Sequence, residues 1–192
     1  MSEVAAAIRH LLSDLLTRRS DVLLLACCQR AKWEGWLKFE LAAALSQHPG
    51  VQDVVLEACY PSGRRSDISF SLNGIVWYME LKTPNVNWRA AGLENRTRPI
   101  TRNIGSLMED IKKLQRECDP RRGLAVFCLF PIPARIWDAE REKLNYHLGR
   151  VEAGCDLSAG SLSEAADFVS ITNEFGICNI VVETASIVAG EA

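Results

Sequence analysis

The stretch of residues 64–83, RRSDISFSLNGIVWYMELKT, constrains the fold more than any other part of the chain. Asn73 and Gly74 stand between two runs that alternate apolar and polar residues. An Asn-Gly pair in that setting predicts a two-residue type I′ hairpin, because both positions tolerate the positive φ angles that the turn needs. The turn fixes the register. Leu72 then faces Ile75, Phe70 faces Trp77 and Ile68 faces Met79, which makes one face wholly apolar. The other face pairs Ser71 with Val76, Ser69 with Tyr78 and Asp67 with Glu80, and period-two alternation adds Lys82 beside Glu80.

Like charges directly opposed across a hairpin destabilise it. A divalent cation between the two carboxylates removes that cost, since Mg²⁺ is held by one or two carboxylates together with waters and phosphate oxygens. Lys82 beside such an ion can orient or help deprotonate an attacking water and stabilise charge developing on phosphorus. The bland alternative is a solvated acid pair with Lys82 in a surface ion pair.

Around the hairpin, apolar periodicity predicts a helix over 3–18, a short helical segment from Ser20 to about Arg30, and a helix over 32–47 stopped by Pro49-Gly50. Strands are predicted at 51–60, 65–72 and 75–82. Ser106 and Glu109 have capping-box spacing and predict a helix start there. Residues 123–131 form one apolar run, as in a strand buried on both faces. A helix near 137–149 and strands at 167–172 and 178–183 complete the reading. The fold class expected is α/β: a mixed central sheet flanked by helices, with core order αβββαβ. With 192 residues and no convincing linker, a single domain over 1–192 is expected, with a helical extension over 1–30 and a core over about 32–131.

These residues resemble the PD-(D/E)XK nuclease superfamily, whose fold is called restriction-endonuclease-like. The resemblance rests on Asp67 on the second core strand, Glu80-Leu81-Lys82 on the third, and the element order around them, over about 100 of the 192 residues. It departs at Ser66, where the family's name has proline. The resemblance implies metal-dependent hydrolysis of phosphodiester bonds in DNA, less often RNA, with Mg²⁺ or Mn²⁺ as cofactor. It implies Asp67 and Glu80 as metal ligands and Lys82 as the water-activating residue. It also implies a supporting glutamate on the first core helix, where Glu40 is preferred over Glu34 because it shares a face with Trp33, Trp36 and Leu37. Glu57 is a weaker candidate.

A net charge of −2 gives no overall attraction to nucleic acid, so contact needs a local patch. Residues 83–102 offer Arg89, Arg96, Arg98 and Arg102 with Trp88 interleaved, and Arg65 precedes Asp67. Arginines grip phosphates and an indole stacks on a base. Lys112, Lys113 and Arg116 read as the exposed face of their helix. Seven scattered cysteines without a CxxC pair read as buried free thiols in a reducing compartment, and the three isolated histidines lack zinc spacing. The N-terminal stretch, with Glu3, Arg9 and Asp14 in its apolar pattern, lacks signal-peptide character, and no run is long enough to span a membrane. A cytoplasmic protein is expected, acting on nucleic acid and most simply DNA, with no membrane partner and with a homodimer left open. A non-catalytic module binding nucleic acid or protein remains the alternative function.

Overall fold

The computed structural model describes residues 3–28, 32–86, 100–118, 122–133, 138–158, 162, 167–173 and 176–187. Its elements run α1 (Glu3–Arg18), α2 (Ser20–Cys28), α3 (Glu34–Ser46), β1 (Val51–Leu56), β2 (Ile68–Leu72), β3 (Ile75–Lys82), α4 (Ile100–Glu117), β4 (Gly123–Pro133), α5 (Asp138–Gly154), β5 (Asp167–Asn173) and β6 (Gly176–Ile187). The fold is mixed α/β. One six-stranded sheet has the order β1-β2-β3-β4-β6-β5. The β3–β4 pair is parallel and the other four neighbouring pairs are antiparallel.

The hairpin has the expected register. Ile68, Ser69, Phe70, Ser71 and Leu72 face Met79, Tyr78, Trp77, Val76 and Ile75. Asn73 (φ 52) and Gly74 (φ 76) both take the left-handed backbone of a type I′ turn. One expectation fails at the open end: β2 begins at Ile68, so Asp67 lies just before the strand and outside the paired ladder. Its amide donates to the Met79 carbonyl at 3.1 Å. Its side chain, in place of a backbone carbonyl, receives the Leu81 amide at 2.8 Å.

Strand β4 shows why a continuous apolar run suits the centre of a sheet. Leu124, Val126 and Cys128 join the core formed with α1 and α3, while Ala125, Phe127 and Leu129 join the core formed with α4 and α5. The N- and C-terminal segments pack together. Ala5, Ile8, Leu12 and Leu16 of α1 share one core with Val169, Ile171, Ile180 and Val182 of β5 and β6. Ser13 and Arg9 of α1 also reach Asp167 at 3.1 and 3.4 Å.

Helix α4 starts at Ile100, so the capping-box pair Ser106 and Glu109 lies within the helix rather than at its start. The buried stripe explains the earlier start: Leu107, Ile111 and Leu114 continue backward through Ile104. Strand β1 ends at Leu56, short of the predicted 51–60; beyond it the chain pairs irregularly, through the isolated bridge Cys59–Arg65 and the backbone bonds Glu57–Asp67, Ser66–Ala58 and Tyr60–Arg64. Cys118, Cys128 and Cys155 are buried as expected, whereas Cys59 is exposed. Among the described residues no helix is long and apolar enough to cross a membrane.

Candidate functional site

The carboxyl end of β3, the start of β2 and the flanks of α3 and α4 meet at one end of the sheet. Period two sends Met79 and Leu81 into the core under α1 and α3, so Glu80 and Lys82 point toward α4. Glu80 is only 6 % exposed. Its Oε1 accepts the Tyr60 hydroxyl at 2.6 Å and the Lys113 ammonium at 2.6 Å. Burial pushes the Glu80 carboxyl above its ordinary value, against the hydrogen bonds from Lys113 and Tyr60, and the nearby Asp67 charge pushes it the same way as burial. The two acids are thus close enough to feel each other's charge. Burial and then the bond to Glu80 hold the Tyr60 phenol far above the usual tyrosine value, so Tyr60 is a fixed donor.

Asp67 is served from the other layer. Lys38 of α3 lies 2.8 Å from Asp67 Oδ1 and also bonds Glu57. Burial alone would lower the Lys38 pKa, but the bonds to Asp67 and Glu57 outweigh it and hold the group above its usual value. Glu57 sits at the end of β1 with φ 53, a left-handed conformation that costs a non-glycine residue about 1 kcal/mol or more. That backbone is held by the Glu57 amide donating to the Asp67 carbonyl at 3.0 Å.

Lys82 pairs with Asp110 of α4 at 2.8 Å. Burial would lower its pKa, but the Asp110 bond and the charges of Asp110, Glu34 and Asp67 raise it above the usual lysine value. Lys82 is therefore an ammonium in this arrangement. As an ammonium it can donate to water or to charge developing on a phosphate.

The helix glutamates differ from the expected order. Glu40 turns away from the sheet end and pairs with Arg19 at 3.3 Å, between α1 and α2. Glu34 is the one that meets the site: its Oε2 accepts the Thr83 amide at 3.0 Å and its charge acts on Lys82. Helical geometry explains the difference. Trp33, Leu37, Leu41 and Leu45 form the buried stripe, and Glu34 and Lys38 follow one position behind it on the flank toward β3. Glu40 lies on the opposite flank.

Asp110 and Lys113 were missed by the sequence reading. Lys113 is not part of the exposed face assigned to it, because it bonds Glu80 and the Arg65 carbonyl, at 2.6 Å each. Lys112 and Arg116 are exposed, as expected. The available signal was position: Asp110, Lys113 and Glu117 share one flank of the α4 stripe. Glu117 completes that flank by pairing with Arg64 at 3.1 Å and with Ser62.

Of the predicted nucleic-acid contacts, Arg65 is exposed beside Asp67, and Arg102 is exposed in the first turn of α4. Trp88, Arg89, Arg96 and Arg98 lie outside the described residues. Trp33 is core, 2 % exposed, with its ring edge against Phe130.

The donor set suits a hard cation. Asp67 and Glu80 could supply carboxylate oxygens, with Glu34 on the Thr83 amide and Glu57 on Lys38 around them. Among the described residues no three acidic, histidine or cysteine side chains form a ready-made metal cage. Two carboxylates completed by water and phosphate oxygens are the usual arrangement for Mg²⁺. Compared with family models, with curated proteins and with solved structures, the chain gives no match.

Proposed function

We propose that the chain is a metal-dependent phosphodiesterase that hydrolyses nucleic acid, DNA in the first instance, at the end of the sheet between α3 and α4. The observation that carries this reading is the placement of Glu80 and Lys82 on one face of β3, with the Asp67 carboxylate on the amide of Leu81 between them at 2.8 Å. The order α3-β1-β2-β3-α4-β4 agrees with a restriction-endonuclease-like core and adds support.

A Mg²⁺ or Mn²⁺ ion held by Asp67 and Glu80 supplies Lewis-acid polarisation of the scissile phosphate and a lowered pKa for bound water. Tyr60 fixes the rotamer of Glu80 through its hydroxyl. Lys82, kept charged by Asp110, donates to the developing negative charge. Glu34 ties the first turn of α3 to the end of β3 and keeps its negative charge next to Lys82. Arg65, exposed next to Asp67, supplies positive charge beside the site for backbone phosphates, and Arg102, exposed in the first turn of α4, offers a further one.

The test is direct. Purified chain is incubated with supercoiled plasmid, single-stranded DNA and RNA, in Mg²⁺, in Mn²⁺ and in chelator. Cleavage that needs metal and falls by about 100-fold or more in Lys82→Met supports the proposal. No cleavage of any of the three substrates contradicts it.

A further inference from the structure

The carboxylates that form the candidate metal centre are already neutralised from within the chain. Lys38 reaches Asp67 Oδ1 at 2.8 Å and bonds Glu57 as well, with only 17 % of its side chain exposed. Its acceptors are more open, at 22 % for Asp67 and 49 % for Glu57. A second ammonium, Lys113, sits on Glu80. Asp67 Oδ2 is committed to the Leu81 amide, a backbone bond that anchors the carboxylate and is independent of any cation. The oxygen open to exchange is therefore Oδ1, the one that Lys38 holds.

We infer that Lys38 is an exchangeable internal cation, which occupies Asp67 in the metal-free chain and is displaced when a divalent ion binds. The inference rests on the reading of Asp67 and Glu80 as a cation site. A divalent ion and an ammonium both seated on Oδ1 lie within a few ångströms of each other and repel, the more strongly the lower the local dielectric. Lys38 is long enough to swing while keeping its stem on α3, and Glu57 gives it a second carboxylate outside the site. Its displacement leaves an ammonium at the rim, where a nucleic-acid phosphate replaces Asp67 as its partner. Metal and polyanion then bind cooperatively, because the ion releases a phosphate-binding group. In the metal-free chain the same ion pair keeps two acids from repelling each other.

Mn²⁺ is titrated calorimetrically into the full chain and into Lys38→Met, Lys38→Arg and Asp67→Asn. Removing a competing unit charge within a few ångströms should tighten Mn²⁺ binding in Lys38→Met by about tenfold or more. Lys38→Arg, which keeps the charge, should bind within about threefold of the wild type, and Asp67→Asn should lose the site. A second measurement uses the unmodified chain. Acylation of Lys38 by an amine-reactive ester, read by peptide mass spectrometry, should rise several-fold at saturating Mn²⁺. Exposed Lys143 serves as the unchanged control. A purely structural Lys38 predicts neither change. Asp67-dependent Mn²⁺ binding with no tightening in Lys38→Met and no gain in Lys38 labelling overturns the exchange and leaves the cation site standing. Absence of any Asp67-dependent Mn²⁺ binding overturns both.

Discussion

The Lys82 ammonium lies 2.8 Å from the Asp110 carboxylate of α4. Three residues further along the same helix flank, Lys113 meets Glu80 at 2.6 Å. Two residues of β3 and two of α4 are thus cross-paired, acid to base and base to acid. Every charge at the end of β3 has a partner before any ligand arrives, which lets four ionisable groups sit together in a partly buried place. It also sets the protonation states with which the site begins.

Asp110 is the largest influence holding the Lys82 pKa above its usual value. With Asp110→Asn, the burial that already opposes the ammonium loses its largest counterweight, so the Lys82 pKa falls. An activity that needs the ammonium is present below that pKa and lost as pH rises through it. The alkaline limb of the cleavage profile should therefore move to lower pH in Asp110→Asn, with little change in the acidic limb. An alkaline limb that stays in place would separate Lys82 from the chemistry. Loss of this partly exposed pair should cost stability of only about 0.5–1 kcal/mol.

Glu80 is buried at a cost that its partners offset only in part. Its folded-state pKa is raised above the ordinary 4.5, mainly by burial. A folded chain that holds this proton more tightly than the unfolded chain gains stability from it at low pH. That gain is lost as pH rises through the window from 4.5 up to the raised value. Glu80→Gln should accordingly raise the melting temperature at pH 7, flatten this part of the stability–pH curve and abolish Mn²⁺ binding. A lower melting temperature at pH 7 would show that Lys113 and Tyr60 more than offset the burial. Thermal unfolding from pH 4 to 8 measures it.

The turn that aligns β2 with β3 depends on backbone rather than packing. Gly74 has φ 76 and no atom within 4 Å of where a Cβ would stand. Gly74→Ala therefore meets no clash but must hold a left-handed backbone, at about 1 kcal/mol. For a chain of this size that lowers the melting temperature by about 2–4 °C. Gly63, also at positive φ (87) with open space around it, sits in the loop between β1 and β2 rather than in the hairpin. Gly63→Ala should cost a similar amount of stability. Only Gly74→Ala should also weaken Mn²⁺ binding, because it alone bears on the register that sets Glu80 beside Asp67.

Much of this arrangement is legible in the sequence because short-range rules govern it. Asn73-Gly74 and period-two alternation fix the Ile68–Met79 to Leu72–Ile75 pairing from local chemistry alone. What escapes is set by elements that approach from a distance. Whether Glu34 or Glu40 faces the sheet depends on which flank of the Trp33–Leu45 stripe lies toward β3, and that follows from the docking of α3 against β1. Lys113 reads as solvated until the loop carrying Tyr60 and Arg65 folds over it and supplies the Arg65 carbonyl, while β3 supplies Glu80. Asp67 leaves the ladder because its own side chain competes for the Leu81 amide, a choice that strand propensity does not encode.

The central claim is that Asp67 and Glu80 hold one divalent ion between them. Crystals soaked in Mn²⁺ and measured for anomalous scattering test it most directly. The account predicts one strong anomalous peak within coordination distance of Asp67 Oδ1 and of a Glu80 carboxylate oxygen, with Lys38 swung away from Asp67. A map with no peak there, and with Lys38 and Lys113 still seated on the two carboxylates at saturating Mn²⁺, would contradict it.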